Sequence, residues 1–418
     1  MLPFGKSPLP ITVPREAQVL RLPPARRLAD AVLAIATALD NPIGSPPLRQ
    51  VARGKRTACI VISDFTRPVP NRLLLPPVLA RLEAAGIPRE GIEILVGTGT
   101  HRPQTAEEIA ELLGPEIASS YRVRNHDCRA EAEHLFLGRT DRGMPVAVDA
   151  GYCRADLKLL TGLVEPHLMA GWSGGRKAVC PGICALETIS AFHSAALLDD
   201  PRAANGVLEG NPVHQEALHA AGMAGADFTV NVTLDEERHL TGVFAGDLEA
   251  AHIAAVEHAR AGCRVTVPAP ADVVVTTSAG YPLDGTLYQA TKGAVAAMPI
   301  VRPGGAIVLV AACGEGLGSP DFVRAFDYSP ADFMRALHTP GFHLFEQWQA
   351  QELCKVALHA RLFLVTARNA DLAQAAARNW VNIADTPDAA LAAACGAAGP
   401  RVVLMPAGPY LLPEVLGP

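Results

Sequence analysis

Short runs of apolar, often β-branched residues recur along the chain at Ala58–Ile62, Gly91–Val96, Leu157–Leu160, Val273–Thr276, Ala306–Ala311, Leu362–Val365 and Val402–Met405. Runs of this length bounded by turn residues read as strands buried on both faces. Between most of them lie Ala/Leu/Glu-rich stretches long enough for helices, such as Leu73–Ala85 and Thr105–Leu113. Strands alternating with helices predict parallel sheets made of βαβ units. Phe228–Leu234 and His239–Phe244, separated by Asp235–Arg238, predict a hairpin added antiparallel to the first sheet, with a helix over Asp247–Gly262. Val267-Pro-Ala-Pro-Ala271 is stiffened by proline and marks a boundary. The expected fold is therefore α/β in two domains, 1–266 and 267–418, each a mainly parallel sheet flanked by helices.

Composition narrows the function classes. A chain of 418 residues that is 49% hydrophobic has ample material for two cores. The net charge of −6 and the absence of a long Lys/Arg cluster exclude a surface built to neutralise nucleic-acid phosphates. Nine scattered cysteines without a C-x-x-C pair fit neither a disulfide framework nor a four-thiolate zinc site, so reduced thiols and a cytoplasmic protein are expected. No apolar run approaches the ~18 residues that span a bilayer, and no membrane partner is expected.

In open parallel sheets, ligands bind beyond the carboxyl ends of the strands. There the sequence places Ser63-Asp-Phe-Thr-Arg-Pro-Val-Pro70, Gly97-Thr-Gly-Thr-His-Arg-Pro103, and a long segment from Thr161 to Ser173-Gly-Gly-Arg-Lys177. Taken singly, Asp64 reads equally as a cap, Arg67 as a surface arginine and His101 as a hydrogen-bonding residue; their convergence at one sheet end points to a site. Ser173, Gly174, Gly175, Arg176 and Lys177 are expected to expose successive backbone N–H groups and add two cations, a combination suited to a phosphate or carboxylate. This is not a Walker A loop. A helix expected over Leu186–Leu197 puts His193 on the same face as Leu186, Ile189 and Ala196, pointing inward. Such a histidine is either a satisfied core residue or a metal ligand. Its position sixteen residues after Lys177 favours the ligand. No zinc-type ligand spacing accompanies it, so most of the metal's coordination must come from outside the protein.

Asp64-Phe-Thr-Arg-Pro68, Gly97-Thr-Gly-Thr-His-Arg102, Glu165-Pro-His-Leu-Met-Ala-Gly-Trp-Ser-Gly-Gly-Arg-Lys177 with Pro181-Gly182 and His193, and Tyr281-Pro-Leu-Asp284 with Tyr288-Gln-Ala-Thr-Lys292 together resemble the nickel-dependent lactate racemase family. The resemblance extends over about residues 58–355 and includes Asn211-Pro-Val-His214 and the region of Trp348. It implies a nickel-pincer nucleotide, pyridinium-3-thioamide-5-thiocarboxylic acid mononucleotide, tethered to Lys177 with its nickel completed by His193. It further implies acid/base roles for His101 and His167, a substrate-carboxylate role for Arg67, and a catalytic role for Lys292. Asp64, Thr66, Ser173, Gly174, Gly175, Arg176, Tyr288 and Gln289 are implied as cofactor contacts, in a site in the inter-domain cleft. Phe65, Met169 and Trp172 are placed to shape substrate preference. The implied reaction inverts a small 2-hydroxy acid by reversible hydride transfer through a 2-keto acid, with cofactor-synthesis proteins as partners for loading. Racemisation of an aromatic, longer-chain or sugar acid, and non-catalytic binding of the nickel nucleotide, are the alternatives.

Overall fold

In the computed structural model, which describes residues 1–416, the chain forms two compact units. One is Ala25–Ala261; the other joins Met1–Pro24 to the chain from Gly262 onward. A division at 266 assigns the first residues to the amino-terminal domain, and the structure corrects this. Backbone pairing is the reason: Gln18–Val19 runs parallel to Val402–Met405, with Gln18 opposite Val403. Leu2 is also wholly buried in the core of that sheet.

The unit Ala25–Ala261 is built on six strands: β1 (Ala58–Ser63), β2 (Ile92–Gly97), β3 (Arg122–Asn125), β4 (Leu157–Leu163), β5 (Phe228–Leu234) and β6 (Leu240–Gly246). Their order across the sheet is β6-β5-β4-β1-β2-β3. Every pairing is parallel except that of β5 with β6, the expected hairpin. Ile60, Val61 and Ile62 on β1 and Leu159 and Leu160 on β4 are fully buried, as the continuous apolar runs of a sheet covered on both faces require. The helix Ala106–Leu113 starts where Thr105 and Glu108 form a reciprocal capping box. The chain winds from β1 outward to β2 and β3, then returns to place β4 on the opposite side of β1. The order of strands therefore reverses between β1 and β4, and the loops that follow them flank a crevice.

The other unit repeats the device with β7 (Ala271–Thr277), β8 (Val301–Val310), β9 (Arg361–Val365), β10 (Asn382–Ala384) and β11 (Val402–Met405), ordered β11-β7-β8-β9-β10 and all parallel. Its reversal lies between β7 and β11. The amino-terminal segment is fastened beside the loop after β7: the Gly5 amide donates to Asp284 at 2.6 Å, and the Tyr281 amide donates to the Gly5 carbonyl at 3.0 Å. Each unit has its own apolar core. All nine cysteines are free. Among the described residues no helix is long and apolar enough to cross a membrane.

Candidate active site

The β1–β4 crevice is lined by Asp64–Arg67 on one side and Val164–His167 on the other. Asp64 is almost completely buried, and its two oxygens have separate partners. Oδ2 lies 2.6 Å from His101 Nδ1, and Oδ1 accepts from the Thr66 hydroxyl at 2.6 Å and the Thr66 amide at 3.1 Å. Burial works against the Asp64 charge, but His101, Thr66 and Arg67 outweigh it and hold the carboxyl below its ordinary range. An ionised Asp64 can only accept, so His101 donates from Nδ1 and, when neutral, carries its basic lone pair on Nε2. Arg67 comes within 3.7 Å of Glu165 through Nε, which bridges the two sides of the crevice. Asp64 and Thr66 thus hold each other, and Asp64 orients His101.

After β4 the chain folds back in a two-rung ladder, Pro166–His167 against Gly171–Trp172, with His167 opposite Gly171. Gly171 has φ 75°, and a Cβ there would collide with the Val207 carbonyl, so only glycine closes this turn. Inside the turn, His167 Nδ1 accepts from the amides of Met169 at 3.3 Å and Ala170 at 3.2 Å. Trp172 and Met169 do not line an open surface. Trp172 is fully buried, donates to the Gly206 carbonyl at 3.1 Å and lies under Arg260; Met169, three residues earlier, is buried as well. Phe65 remains exposed, with Arg102 over its ring at 4.8 Å.

The glycine turn differs from the expectation of amides aimed at a ligand. The Ser173 amide donates to Glu165, the Gly175 amide to Asn231 Oδ1 at 2.9 Å, and the Lys177 amide to Gly174. The Ser173 hydroxyl donates to Leu163 at 2.7 Å. The glycines are present for proximity: a Cβ on Gly174 would sit 2.9 Å from Asn231 Oδ1, and one on Gly175 would sit 2.9 Å from the His252 ring. Arg176 is buried to 1% exposure. Its fork donates to Ala170 O at 2.8 Å and weakly to Gly174 O, lies 2.8 Å from His252 Nε2, and leaves Nε without a partner. Among the described residues no carboxylate pairs with it, and burial alone lowers its pKa to about 9.

His193 was expected within a helix over Leu186–Leu197, but the helix ends at Phe192 and His193 caps it. Its Nδ1 donates to the Ile189 carbonyl at 2.8 Å, one turn back, which pins the ring and puts the neutral lone pair on Nε2. Burial, followed by the charge of Lys177, pushes His193 down to about 3, so the ring is neutral at any ordinary pH. Lys177 and His193 flank the same ring: Lys177 Nζ lies 5.6 Å from the centroid of Phe192, whose ring is 4.7 Å from that of His193. Among the described residues no three His, Cys, Asp or Glu side chains are grouped to hold a metal. A metal on His193 therefore fits only as part of a group that brings ligand atoms of its own, beside an amine able to anchor it.

Tyr288, Gln289 and Lys292 lie in the other unit, on the helix Leu287–Ala297. Lys292 donates to Gln289 Oε1 at 2.6 Å, and the Tyr288 hydroxyl accepts from Trp348 Nε1 at 3.0 Å. Burial pushes the Tyr288 hydroxyl well above its usual range, so it stays protonated.

Four residues with roles in this framework were given none from sequence: Glu165 beside Arg67, Asn231 and His252 under the glycine turn, and Asn211, whose Nδ2 holds Met169 O at 2.9 Å. Glu165 and Asn211 lie within the family-like motifs, whereas Asn231 and His252 lie in the expected strand Phe228–Leu234 and helix Asp247–Gly262. Asn231, a polar residue within an apolar strand, carried a signal that went unused.

Residues 4–206 match the lactate racemase N-terminal domain and residues 266–409 the lactate racemase C-terminal domain. The lactate racemase of Lactiplantibacillus plantarum is 38% identical over 338 residues, covering 78% of each chain. That of Thermoanaerobacterium thermosaccharolyticum is 34% identical over 374 residues, covering 87% of each. The structure of the lactate racemase apoprotein from the latter organism superposes with a TM-score of 0.92 at 31% identity, over 99% of both chains. A Thermotoga maritima protein shares the fold at 19% identity, with a TM-score of 0.71 over 92% of this chain and 98% of that one.

Proposed function

The chain belongs to the lactate racemase family, and from that premise we propose that it inverts the hydroxyl-bearing carbon of lactate or a similar small 2-hydroxy acid, with a nickel-pincer nucleotide carried on Lys177. The observation that carries this reading is the grouping of Lys177 with a neutral, backbone-pinned His193, one loop away from the crevice that holds His101, Arg67 and His167. When bound, the nucleotide supplies an acceptor for the Cα hydrogen and its electron pair, so the acid passes through a planar 2-keto acid.

The protein's own groups do the rest. Arg67 engages the substrate carboxylate through its fork, which a point charge such as lysine cannot reproduce. His101 takes the hydroxyl proton on Nε2, and the imidazolium that results is stabilised by the buried Asp64 carboxylate. His167 serves the hydroxyl in the opposite configuration, so the two rings exchange roles with reaction direction. His193, its Nδ1 engaged by the Ile189 carbonyl, would hold the metal of the nucleotide through Nε2. Ser173, Gly174, Gly175 and Arg176 set the path of the backbone that presents Lys177. The partners are the small acid and the proteins that build and load the cofactor.

The test is intact-mass and nickel analysis of protein produced with the cofactor-synthesis machinery, followed by a chiral assay on a panel of enantiopure 2-hydroxy acids. Wild type is expected to carry the adduct and interconvert enantiomers. Lys177→Ala is expected to carry no adduct, and His101→Ala to carry it without inverting substrate. A normal adduct on Lys177→Ala sinks the tether; a loaded wild-type protein inactive on every acid of the panel sinks the function.

A further inference from the structure

We propose that Arg176 is a positioning residue that acts on His167 through Ala170, holding that histidine with its ring proton on Nε2 and so giving the two site histidines unlike starting states. The inference rests on the functional reading above and deepens it.

His101 and His167 are both imidazoles at one sheet end, but their Nδ1 atoms face opposite partners. The Nδ1 of His101 meets a buried carboxylate, which accepts, so Nδ1 carries the proton and Nε2 is the acceptor. The Nδ1 of His167 meets two backbone amides, Met169 and Ala170, which can only donate. The neutral ring there must carry its proton on Nε2, where it is a hydrogen-bond donor. Protonating Nδ1 as well would set three N–H groups against one another and leave two buried amides without their acceptor.

Ala170 is fully buried and held at its other polar atom. Its carbonyl accepts from Arg176 Nη2 at 2.8 Å, and Arg176 is itself fixed by Gly174 O and by contact with His252. The connection runs from His167 Nδ1 to the Ala170 amide, then from the Ala170 carbonyl to the guanidinium. Arg176 also directly precedes Lys177, so one side chain ties the turn that sets His167 to the loop that carries the anchoring amine.

The arrangement suits a reaction that needs one acceptor and one donor at the outset. His101 receives the substrate's hydroxyl proton. His167 offers its Nε2 proton to the oxygen when that oxygen is presented on its side. To complete that transfer, Nδ1 takes a proton from solvent as Nε2 gives one to the substrate oxygen, so the ring ends neutral with its proton on Nδ1. The Met169 and Ala170 amides yield as this happens; by holding Ala170 O, Arg176 brings them back onto Nδ1, so that the ring returns to its Nε2–H form by exchange with solvent before the next turnover.

The test uses full-length protein labelled with 15N in histidine. Two-bond 1H–15N correlation spectra distinguish the tautomers, and a His167→Gln spectrum identifies the His167 signals. The expected result is an unprotonated Nδ1 and protonated Nε2 at His167 in wild type, with a substantial Nδ1–H population appearing in Arg176→Gln. After cofactor loading, Arg176→Gln is expected to lose kcat by about tenfold, with KM changed much less, the size expected for one lost charge-assisted hydrogen bond. Arg176→Lys is expected not to restore either signal, because one ammonium does not reproduce the fork. A wild-type His167 protonated on Nδ1 overturns the proposal, as does an Arg176→Gln spectrum identical to wild type. Should Arg176→Gln fail to fold, the wild-type tautomer alone decides. A loaded wild-type enzyme without racemase activity would instead overturn the functional reading, since the tautomer is read without turnover.

Discussion

Arg124 and Arg176 are both drawn into the same α/β unit, yet they are treated in opposite ways. Arg124, at the end of the sheet on β3, grips Asp149 with two hydrogen bonds at 2.8 and 2.9 Å and reaches Glu93 at 3.3 Å. Its hydrogen bonds with Asp149 outweigh the cost of burial and hold its pKa above the usual arginine value. Arg176, in the loop before Lys177, is more deeply buried and has neutral acceptors in place of carboxylates; its pKa falls instead. A neutralised cation secures a scaffold. A cation buried without a counter-charge is costly to fold, and it is found in the loop that directly precedes Lys177 and is tied through Ala170 to the turn of His167.

The largest expected effect breaks the neutralised side. Asp149→Ala leaves Arg124 without its bidentate partner and removes the cap of the helix Ala150–Arg154, so a loss of about 3–5 kcal/mol is expected from urea unfolding. Arg176→Met is expected to cost less, under about 2 kcal/mol, because relief of charge burial offsets the unsatisfied carbonyls of Ala170 and Gly174. A larger stability loss for Arg176→Met than for Asp149→Ala would reverse the comparison.

Acid titration sharpens the same contrast. His126, two residues beyond Arg124, is lowered to about 4 by burial and then by His134, while His214 is lowered to about 4 by burial and then by Arg176. Both are held neutral when folded, so below about pH 6.5 the unfolded chain binds more protons. Their contribution is intact above that pH and is lost as pH falls toward about 4. Replacing the buried His126 with Asn is expected to remove a slope of about 1.4 kcal/mol per pH unit from that window, seen in urea midpoints against pH. An unchanged slope would count against it.

Arg67 is the intermediate case, a half-exposed cation beside Glu165 at 3.7 Å. Such a pair contributes about 0.2–1 kcal/mol, so Glu165→Gln is expected to leave unfolding almost unchanged. With Arg67 in its proposed role, Glu165 would compete with an incoming carboxylate for the guanidinium, and KM for the hydroxy acid is expected to fall about two- to fivefold in Glu165→Gln, within that same energy range. A rise in KM would show that Glu165 assists binding.

Much of this molecule can be read along the chain. The strands at Ala58, Ile92, Leu157, Phe228, Ala271 and Val402 lie where apolar runs predicted them, because a strand covered on both faces needs a continuous apolar segment. The polar loops after them mark the site because backbone geometry places strand ends together. Arg122–Asn125 and the pair His134–Arg139 with Pro145–Asp149 were missed, since their polar, half-exposed patterns resemble those of loops.

What the chain order alone determined is local: element type, the glycines that permit close approach, and the kinds of chemical group delivered to each strand end. Tertiary structure decided the partners. Whether a histidine is a proton acceptor or a donor depends on whether its Nδ1 meets a carboxylate thirty-seven residues away, as in His101, or amides of its own turn, as in His167. Whether an arginine is neutralised, and whether the first residues join the last sheet, depend likewise on contacts between distant segments. Periodicity records how one segment meets solvent and core, whereas hydrogen-bond direction and charge compensation are properties of pairs that exist only once the chain has closed on itself.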